Sequence, residues 1–242
     1  IAGPVHVALS AVAGALAGPR VHHLAVQAGA DLPFRWSAAV CRRCGEPNGP
    51  LSRCRSCGSG IRRPLITSAV TGAVAALVAS SVGARWVLIA YLFFVAMTMA
   101  LFLTDVDHKR IPNRITYPGT PIAAALLFVG SALDGTTGAF ARAVLGALAY
   151  GAFFLLVFVV ARGGFGFGDV KLAVPLGLFC SYLSWAHMLL AGFATAALGG
   201  VAALAALVGG AGAKSELPYG PPMIIGAWAS IVWGSTLAGV IF

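Results

Sequence analysis

The amino-acid sequence alternates between long apolar runs and short polar segments. A helix needs about 20 residues to cross the hydrocarbon layer of a bilayer, and lengths of about 17–25 residues are tolerated. Apolar runs near this length occupy residues 1–17, 65–82, 86–103, 122–133, 140–160, 172–185, 187–208 and 223–242. This pattern predicts an all-α fold, a polytopic membrane helix bundle with about eight transmembrane helices.

The composition of the chain excludes an ordinary soluble domain. Of the 242 residues, 59% are hydrophobic and only 10% are charged, whereas soluble domains carry about 25% charged residues. The formal net charge is +9, but the basic residues lie between the apolar runs rather than among aromatic side chains on a soluble face. That distribution argues against a nucleic-acid partner and indicates that the lipid bilayer surrounds the chain.

The basic residues also predict the orientation of the bundle. If the loop after the first apolar run is cytoplasmic, all but two of the 16 lysines and arginines lie on the cytoplasmic side, the exceptions being Arg85 and Arg142. Such an asymmetry is typical of a multi-pass membrane protein, because cytoplasmic loops carry the excess of lysine and arginine. The chain then divides into a first transmembrane helix at 1–17, a cytoplasmic cysteine-bearing region at 18–64 and a membrane-embedded domain at 65–242.

Two C-x-x-C pairs stand in the first loop, Cys41 with Cys44 and Cys54 with Cys57. Each pair is followed by a glycine, which eases the tight turn of the backbone around a metal. Four thiolates are a ligand set for tetrahedral Zn²⁺, and a disulfide framework is not expected on the reducing cytoplasmic side. We therefore predict a structural Zn²⁺ in a small zinc-ribbon-like loop, with reduced or redox-active cysteine pairs as the alternative.

Two polar segments on the predicted cytoplasmic side carry acids next to apolar runs. Asp169 follows a glycine-rich stretch and precedes the run that begins at Leu172. Asp105 is expected on the last turn of an earlier helix, before a turn that Pro112 and Pro118 keep out of helical geometry. A charge at the mouth of a membrane helix is costly unless it is paired or solvated. Two acids converging from distant loops predict an aspartyl catalytic pair that shares one proton and activates a water.

Residues around the acids are candidates for contact with a substrate. Gly166 and Gly168 leave room for an extended peptide to approach the backbone. Lys171 and Pro112 lie near the two acids in the sequence, and we predict substrate contacts at both. A purely structural role for Lys171 at the helix end stays open as the alternative.

Two other classes of function stay open on these residues alone. Acids within a membrane also relay protons in proton-coupled transporters. A non-catalytic assembly subunit would instead use the cysteine-bearing loop as a docking module. Neither alternative requires the two acids to share a hydrolytic water.

Several ordered segments of the chain are similar to those of one known family. They are GFGDVKL at 166–172, Asp105 followed by IPN at 111–113 and ITYP at 115–118, LPYGP at 217–221, and SRCRSCG at 52–58 followed by IRRPL at 61–65. Together they resemble the prepilin peptidases, the type IV leader peptidases of the GxGD aspartyl protease group. The resemblance covers most of the chain from Cys41 onward and identifies 65–242 as the protease domain.

The resemblance implies a membrane-embedded aspartyl endopeptidase with Asp105 and Asp169 as its catalytic residues. The expected substrate is a type IV prepilin or a pseudopilin of type II secretion, whose basic leader is cut after a glycine at the cytoplasmic face of the bacterial cytoplasmic (inner) membrane. Many family members also methylate the new N-terminus with S-adenosylmethionine. The N-terminal region departs from the family, with a short spacing between the C-x-x-C pairs and no acidic residue at 66–68, so methyl transfer by this chain stays open.

Overall fold

The computed structural model describes residues 3–29, 39–41, 44, 46–48, 54, 56–57, 62–161, 166–209 and 218–241. These residues form eight α-helices and one short antiparallel pair of strands. The helices are α1 (Gly3–Gly29), α2 (Arg62–Val82), α3 (Val87–His108), α4 (Asn113–Leu133), α5 (Thr137–Val160), α6 (Phe167–Leu183), α7 (Trp185–Val208) and α8 (Gly220–Ile241). The strands are β1 (Ala39–Val40) and β2 (Pro47–Asn48). The predicted all-α bundle is confirmed, and the strand pair is confined to the cysteine-bearing loop.

Within the described part of the chain, five helices are long and apolar enough to cross a membrane, namely α2, α3, α4, α5 and α7. The chain is therefore a multi-pass membrane protein. The other three helices pack against these five: α1 contacts α2 and α3, α6 contacts α4, α5 and α7, and α8 contacts α2, α3 and α7. The sequence-based count of about eight spans thus corresponds to eight bundled helices, of which five meet the criterion of length and composition.

Helix α3 is the centre of the bundle. The buried share of its apolar window is 67%, against 33% for α5 and 17% for α7. Its largest buried side chains pack on Phe179 of α6, with ring centroids 4.3 Å apart for Phe94 and 5.0 Å apart for Tyr91. The Tyr91 hydroxyl also donates to the Phe179 carbonyl oxygen at 2.8 Å. Large aromatic side chains therefore hold α3 and α6 in a fixed relation, and these are the helices that carry Asp105 and Asp169.

Small residues allow other helix pairs to approach backbone to backbone. A Cβ atom added to Gly177 of α6 would lie 2.7 Å from the Cβ of Tyr150 and 2.8 Å from the carbonyl oxygen of Gly146, both in α5. A Cβ added to Gly14 of α1 would lie 2.8 Å from the carbonyl oxygen of Thr71 in α2. Close packing through small residues is how membrane helices associate without a hydrophobic force between them.

The two basic residues that depart from the predicted charge asymmetry have structural partners at the far end of the bundle. Arg142 donates from Nε to the carbonyl oxygen of Ser181 at 2.8 Å and from Nη2 to that of Leu183 at 3.0 Å, and so caps the end of α6. Arg85 lies 3.8 Å from the Asp134 carboxylate. That carboxylate accepts the backbone N–H of Val87 at 3.1 Å, where α3 begins.

The beginning of α4 differs from the sequence-based expectation. We predicted a turn through Pro118 and an apolar helix at 122–133, but α4 starts at Asn113 and contains both Pro118 and Pro121. The expectation was wrong because a membrane bundle tolerates proline inside a helix, where neighbouring helices and local adjustments satisfy the freed backbone groups. Helix α1 likewise passes through Pro19 and continues beyond Ala17 to Gly29.

The close approach of α5 and α6 generates a stability prediction. Replacing Gly177 by alanine overfills a packed contact, and we expect the free energy of unfolding to fall by about 1–3 kcal/mol. The matched control is Gly138→Ala in α5, because nothing lies within 4 Å of a Cβ at Gly138. Thermal unfolding in detergent micelles measures both variants. Equal melting temperatures for the two variants would contradict this packing.

Candidate active site

Asp105 lies on the last turn of α3, where the helix ends sharply. Lys109 adopts a left-handed conformation with φ 51° and ψ 40°, and its N–H donates to the Asp105 carbonyl oxygen at 2.8 Å. A left-handed residue commonly ends a helix, although it is usually glycine. Pro112 is then extended, with φ −71° and ψ 129°, immediately before α4 begins. The chain therefore turns tightly around the Asp105 side chain.

Asp169 lies in the first turn of α6, directly after the glycine-rich stretch. Gly166 is extended, and its carbonyl oxygen accepts the Asp169 N–H at 3.1 Å. The Asp169 carboxyl also accepts a hydrogen bond from the Gly166 backbone. An acid in this position is favoured by the partial positive charge at the beginning of a helix. The local sequence thus fixes Asp169 at the mouth of α6.

Both acids line one cavity of about 350 Å³. Their side chains are buried, Asp105 being 4% and Asp169 7% exposed. The two carboxyl groups are close enough for their charges to repel. Acids more than sixty positions apart in the sequence are therefore brought to the same end of the bundle, whereas the neighbouring Asp107 pairs with Arg63 at 3.5 Å.

The cavity wall contains every residue that the sequence indicated for substrate contact. Gly166, Gly168, Lys171 and Pro112 all line it. The wall also includes residues that sequence reasoning missed. These are Ala28 and Gly29 at the end of α1, Thr104, Lys109, Arg110, Ile111 and Asn113. Nothing in the sequence of α1 indicated that its end lines the cavity, because that placement depends only on how the helices pack.

Lys171 is held in a defined position at the cavity. Its ammonium donates to the Asn113 side-chain oxygen at 2.6 Å. It also lies 4.9 Å from the ring centroid of Phe167 and 5.3 Å from that of Tyr117. A cation over an aromatic face is attracted by the ring quadrupole. Lys171 therefore links the beginning of α6 to the beginning of α4, on the wall that the two acids share.

The beginning of α8 reaches the same site. The backbone N–H of Gly220 donates to Oδ2 of Asp105 at 3.1 Å. The sequence singled out this stretch, LPYGP, only as a similarity, without a chemical role. Its contact with an acid 115 positions away depends on the tertiary structure.

The four cysteines of the first loop form a compact cluster, and all four Sγ atoms lie within 4.8 Å of one another. Cys41 and Cys57 have their sulfurs 3.5 Å apart, and those of Cys44 and Cys54 are 3.4 Å apart. Tetrahedral Zn²⁺ with Zn–S bonds of about 2.3 Å would space the sulfurs by about 3.8 Å. The donor set and its dimensions therefore fit a metal ion such as Zn²⁺.

The electrostatics of the cluster agree with a cation among the sulfurs. A hydrogen bond from the Cys57 backbone lowers the pKa of Cys54. A hydrogen bond from the Glu46 backbone would lower the pKa of Cys44 as well, but the neighbouring cysteine sulfurs, that of Cys54 foremost, outweigh it and raise the pKa of Cys44 to about 12. One thiolate therefore makes a second costly, and a bound cation removes that cost because it favours deprotonated ligands.

The fold and this site define a class: an integral membrane helix bundle with two buried carboxyl groups in one cavity at its end. Comparison with known proteins supplies the family. A model of the type IV leader peptidase family matches residues 92–204, a range that contains both acids. No solved structure matches the chain.

Curated relatives extend this similarity over most of the chain. The prepilin leader peptidase/N-methyltransferase of Burkholderia pseudomallei strain 1026b is 31% identical over 234 residues, covering 85% of this chain and 71% of the relative. The proteins of the same name from Aeromonas salmonicida strain A449 and Pseudomonas aeruginosa are each 28% identical, over 82% of this chain and 72% of the relative. The chain belongs to the type IV leader peptidase family and is a peptidase, which favours the enzyme over the transporter and the docking subunit.

Proposed function

We propose that this chain is an aspartyl endopeptidase that removes the basic leader from type IV prepilins or pseudopilins, with Asp105 and Asp169 as its catalytic pair. The observation that carries the proposal is the placement of these two buried carboxyl groups on the wall of one cavity. The names of the curated relatives support the choice of substrate, since those proteins are called prepilin leader peptidases.

The chemistry follows from the proximity of the two acids. Burial makes either charge costly, and the charge of one acid makes that of the other more so, so in this scheme the pair holds one proton. The ionised carboxylate takes a proton from a water as the water oxygen bonds to the scissile carbonyl carbon, while the neutral carboxyl gives its proton to the carbonyl oxygen. When the intermediate collapses, the C–N bond breaks and the carboxyl that took the water proton gives it to the leaving amine. A hydroxyl of the intermediate returns its proton to the other carboxylate, which restores the singly protonated pair. The two acids titrate as a unit in this scheme.

The cavity wall suits an extended peptide segment. Gly166 and Gly168 present backbone without side chains, and a Cβ on Gly168 would already lie 3.1 Å from Ile111. Pro112 is extended and has no backbone N–H. It therefore does not compete with the other wall residues to donate a hydrogen bond to a substrate carbonyl oxygen. Lys171, oriented by Asn113, is in place to donate to a substrate carbonyl oxygen. We assign substrate contacts to these four residues, Gly166, Gly168, Pro112 and Lys171.

The site belongs on the cytoplasmic side of a bacterial cytoplasmic (inner) membrane in this proposal. Lys109, Arg110 and Lys171 line the cavity, whereas Arg85 and Arg142 are the basic residues at the far end of the described part of the bundle. The positive-inside rule then directs the cavity to the cytoplasm. A basic leader is repelled by these three cations, so its charged part extends into the aqueous phase while the scissile peptide occupies the cavity.

The cysteine cluster completes the proposal as a structural Zn²⁺ site held by Cys41, Cys44, Cys54 and Cys57. Closed four-thiolate sites stabilise small loops that bury too little apolar surface to fold alone. The backbone agrees with this role, since the Cys41 N–H donates to the Glu46 carbonyl oxygen at 2.9 Å beside the β1–β2 pair.

The catalytic pair yields a direct prediction. Asp105→Asn and Asp169→Asn keep the shape of each side chain but remove the shared titratable pair, and we expect each to lower prepilin cleavage by at least about 10³-fold. The control is Asp134→Asn at the far end of the bundle, where the amide oxygen still accepts one of the two N–H groups, those of Trp86 and Val87, that the Asp134 carboxylate accepts. Leader release from a purified prepilin in detergent measures the rates. Cleavage at the native rate by either single variant would exclude that residue from the pair.

The metal site predicts a stoichiometry. The purified chain is expected to carry about one Zn²⁺, because four thiolates close a tetrahedral site. Cys54→Ser should lose most of the metal, and the control Cys180→Ala should keep it, because Cys180 is buried within α6. Elemental analysis of the purified variants gives the measurement. Zn²⁺ content unaffected by Cys54→Ser would contradict the assignment.

The relatives' names attach a second activity, N-methylation, to leader cleavage. One reaction with prepilin and S-adenosylmethionine labelled on its methyl group tests it here. Label on the new N-terminus establishes this chain as a methyltransferase as well, whereas leader release without label restricts it to the peptidase reaction.

A further inference from the structure

The first backbone N–H of α8 donates a hydrogen bond to an acid of the candidate site. A helix leaves its first four N–H groups without partners inside the helix. In α8 the first of these, on Gly220, donates to Oδ2 of Asp105 at 3.1 Å. Both residues are buried, so water does not readily replace this donor. The hydrogen bond therefore holds the Asp105 carboxyl in one orientation.

Only glycine permits this approach. A Cβ atom on Gly220 would lie 2.6 Å from Oδ2 of Asp105 and 3.1 Å from its Cγ. The first distance is well inside van der Waals contact, so a side chain here forces either the carboxyl or α8 to move. Gly220 itself has no positive φ, which means that space and not backbone conformation is what selects glycine.

Helix α8 is itself fixed against the helix that carries Asp105. Trp228 donates from its indole nitrogen to the Thr98 hydroxyl of α3 at 3.1 Å. Its ring also stacks on Phe102 of α3, with centroids 6.3 Å apart. At the beginning of α8, the ring of Tyr219 fills the space over Gly199 of α7, where a Cβ would lie 2.6 Å from it. The Gly220 N–H is thus presented by a rigid element.

We propose that Gly220 is a positioning residue, whose N–H orients the Asp105 carboxyl toward Asp169 and the substrate carbonyl. This inference rests on the proposed function, since it matters for catalysis only if Asp105 is a catalytic acid. Gly220 does not touch the substrate in this scheme and acts through Asp105 alone. Its loss should therefore change the turnover number and leave substrate binding intact.

The kinetic test compares two glycine-to-alanine variants in full-length enzyme with a purified prepilin. We expect Gly220→Ala to lower kcat by about 10²-fold, the order of loss that a displacement of about 1 Å in a catalytic group produces, while KM changes by less than about 2-fold. The matched control is Gly200→Ala in α7, where a Cβ meets nothing within 4 Å, and its kcat should equal that of the native enzyme. Native kcat in Gly220→Ala, or a loss confined to KM, would overturn the proposal.

A stability cycle tests the contact without using activity. Gly220→Ala is introduced into the native chain and into Asp105→Ala, and melting temperatures are measured in detergent. The drop should be larger in the native chain, because Asp105→Ala removes both the hydrogen bond and the clash. An equal drop in both backgrounds would overturn the contact. A different outcome is that Asp105→Asn still cleaves prepilin while Gly220→Ala lowers the melting temperature more in the native chain than in Asp105→Ala. That outcome would refute the catalytic pair but leave the contact intact, so failure of the proposed function and failure of this inference are distinguishable.

Discussion

Two carboxyl groups lie buried at the end of an apolar helix bundle, and the protein has to offset the cost of that burial. An ionised carboxylate in a low-dielectric environment is costly, and two adjacent ones are more so. The protein accommodates them with backbone N–H groups at the beginnings of two helices: Gly166, just before α6, for Asp169 and Gly220, the first residue of α8, for Asp105. In the proposed mechanism the pair holds a single proton, which is the state that hydrolysis by an aspartyl pair requires.

The relation between the two acids is maintained by contacts at the cavity and by contacts far from it. Lys171 joins α6 to Asn113 at the cavity, and Phe94 and Tyr91 of α3 pack on Phe179 near the other end of α6. Large aromatic side chains set the separation of α3 and α6, while glycines set the shorter separation of α5 and α6. Substitutions in this apolar core would therefore be expected to act on the acid pair through helix position as well as through stability.

The cysteine cluster and the membrane domain are stabilised by different interactions. Membrane helices satisfy their backbone groups internally and associate by packing, as α1 does on α2. The loop between those two helices has only the short β1–β2 pairing among its described residues, and its four sulfurs gather at metal-ligand distances. A bound cation would supply there the stabilisation that an apolar core supplies elsewhere.

Local signals in the sequence were enough to predict the helical membrane fold, the candidate cysteine ligand set and the two chemically unusual acids, because apolar run length, C-x-x-C spacing and a charge at a helix mouth can each be read within a short segment. The same signals misjudged the beginning of α4 because proline tolerance depends on neighbouring helices. The sequence also predicted that Asp105 and Asp169 meet, because both lie in polar segments on the same predicted side of the membrane. The participation of the end of α1 in the cavity wall and the hydrogen bond from Gly220 to Asp105 became visible only in the folded chain. Both depend on helix packing between segments distant in the chain, for which no local pattern of residues carries a signal.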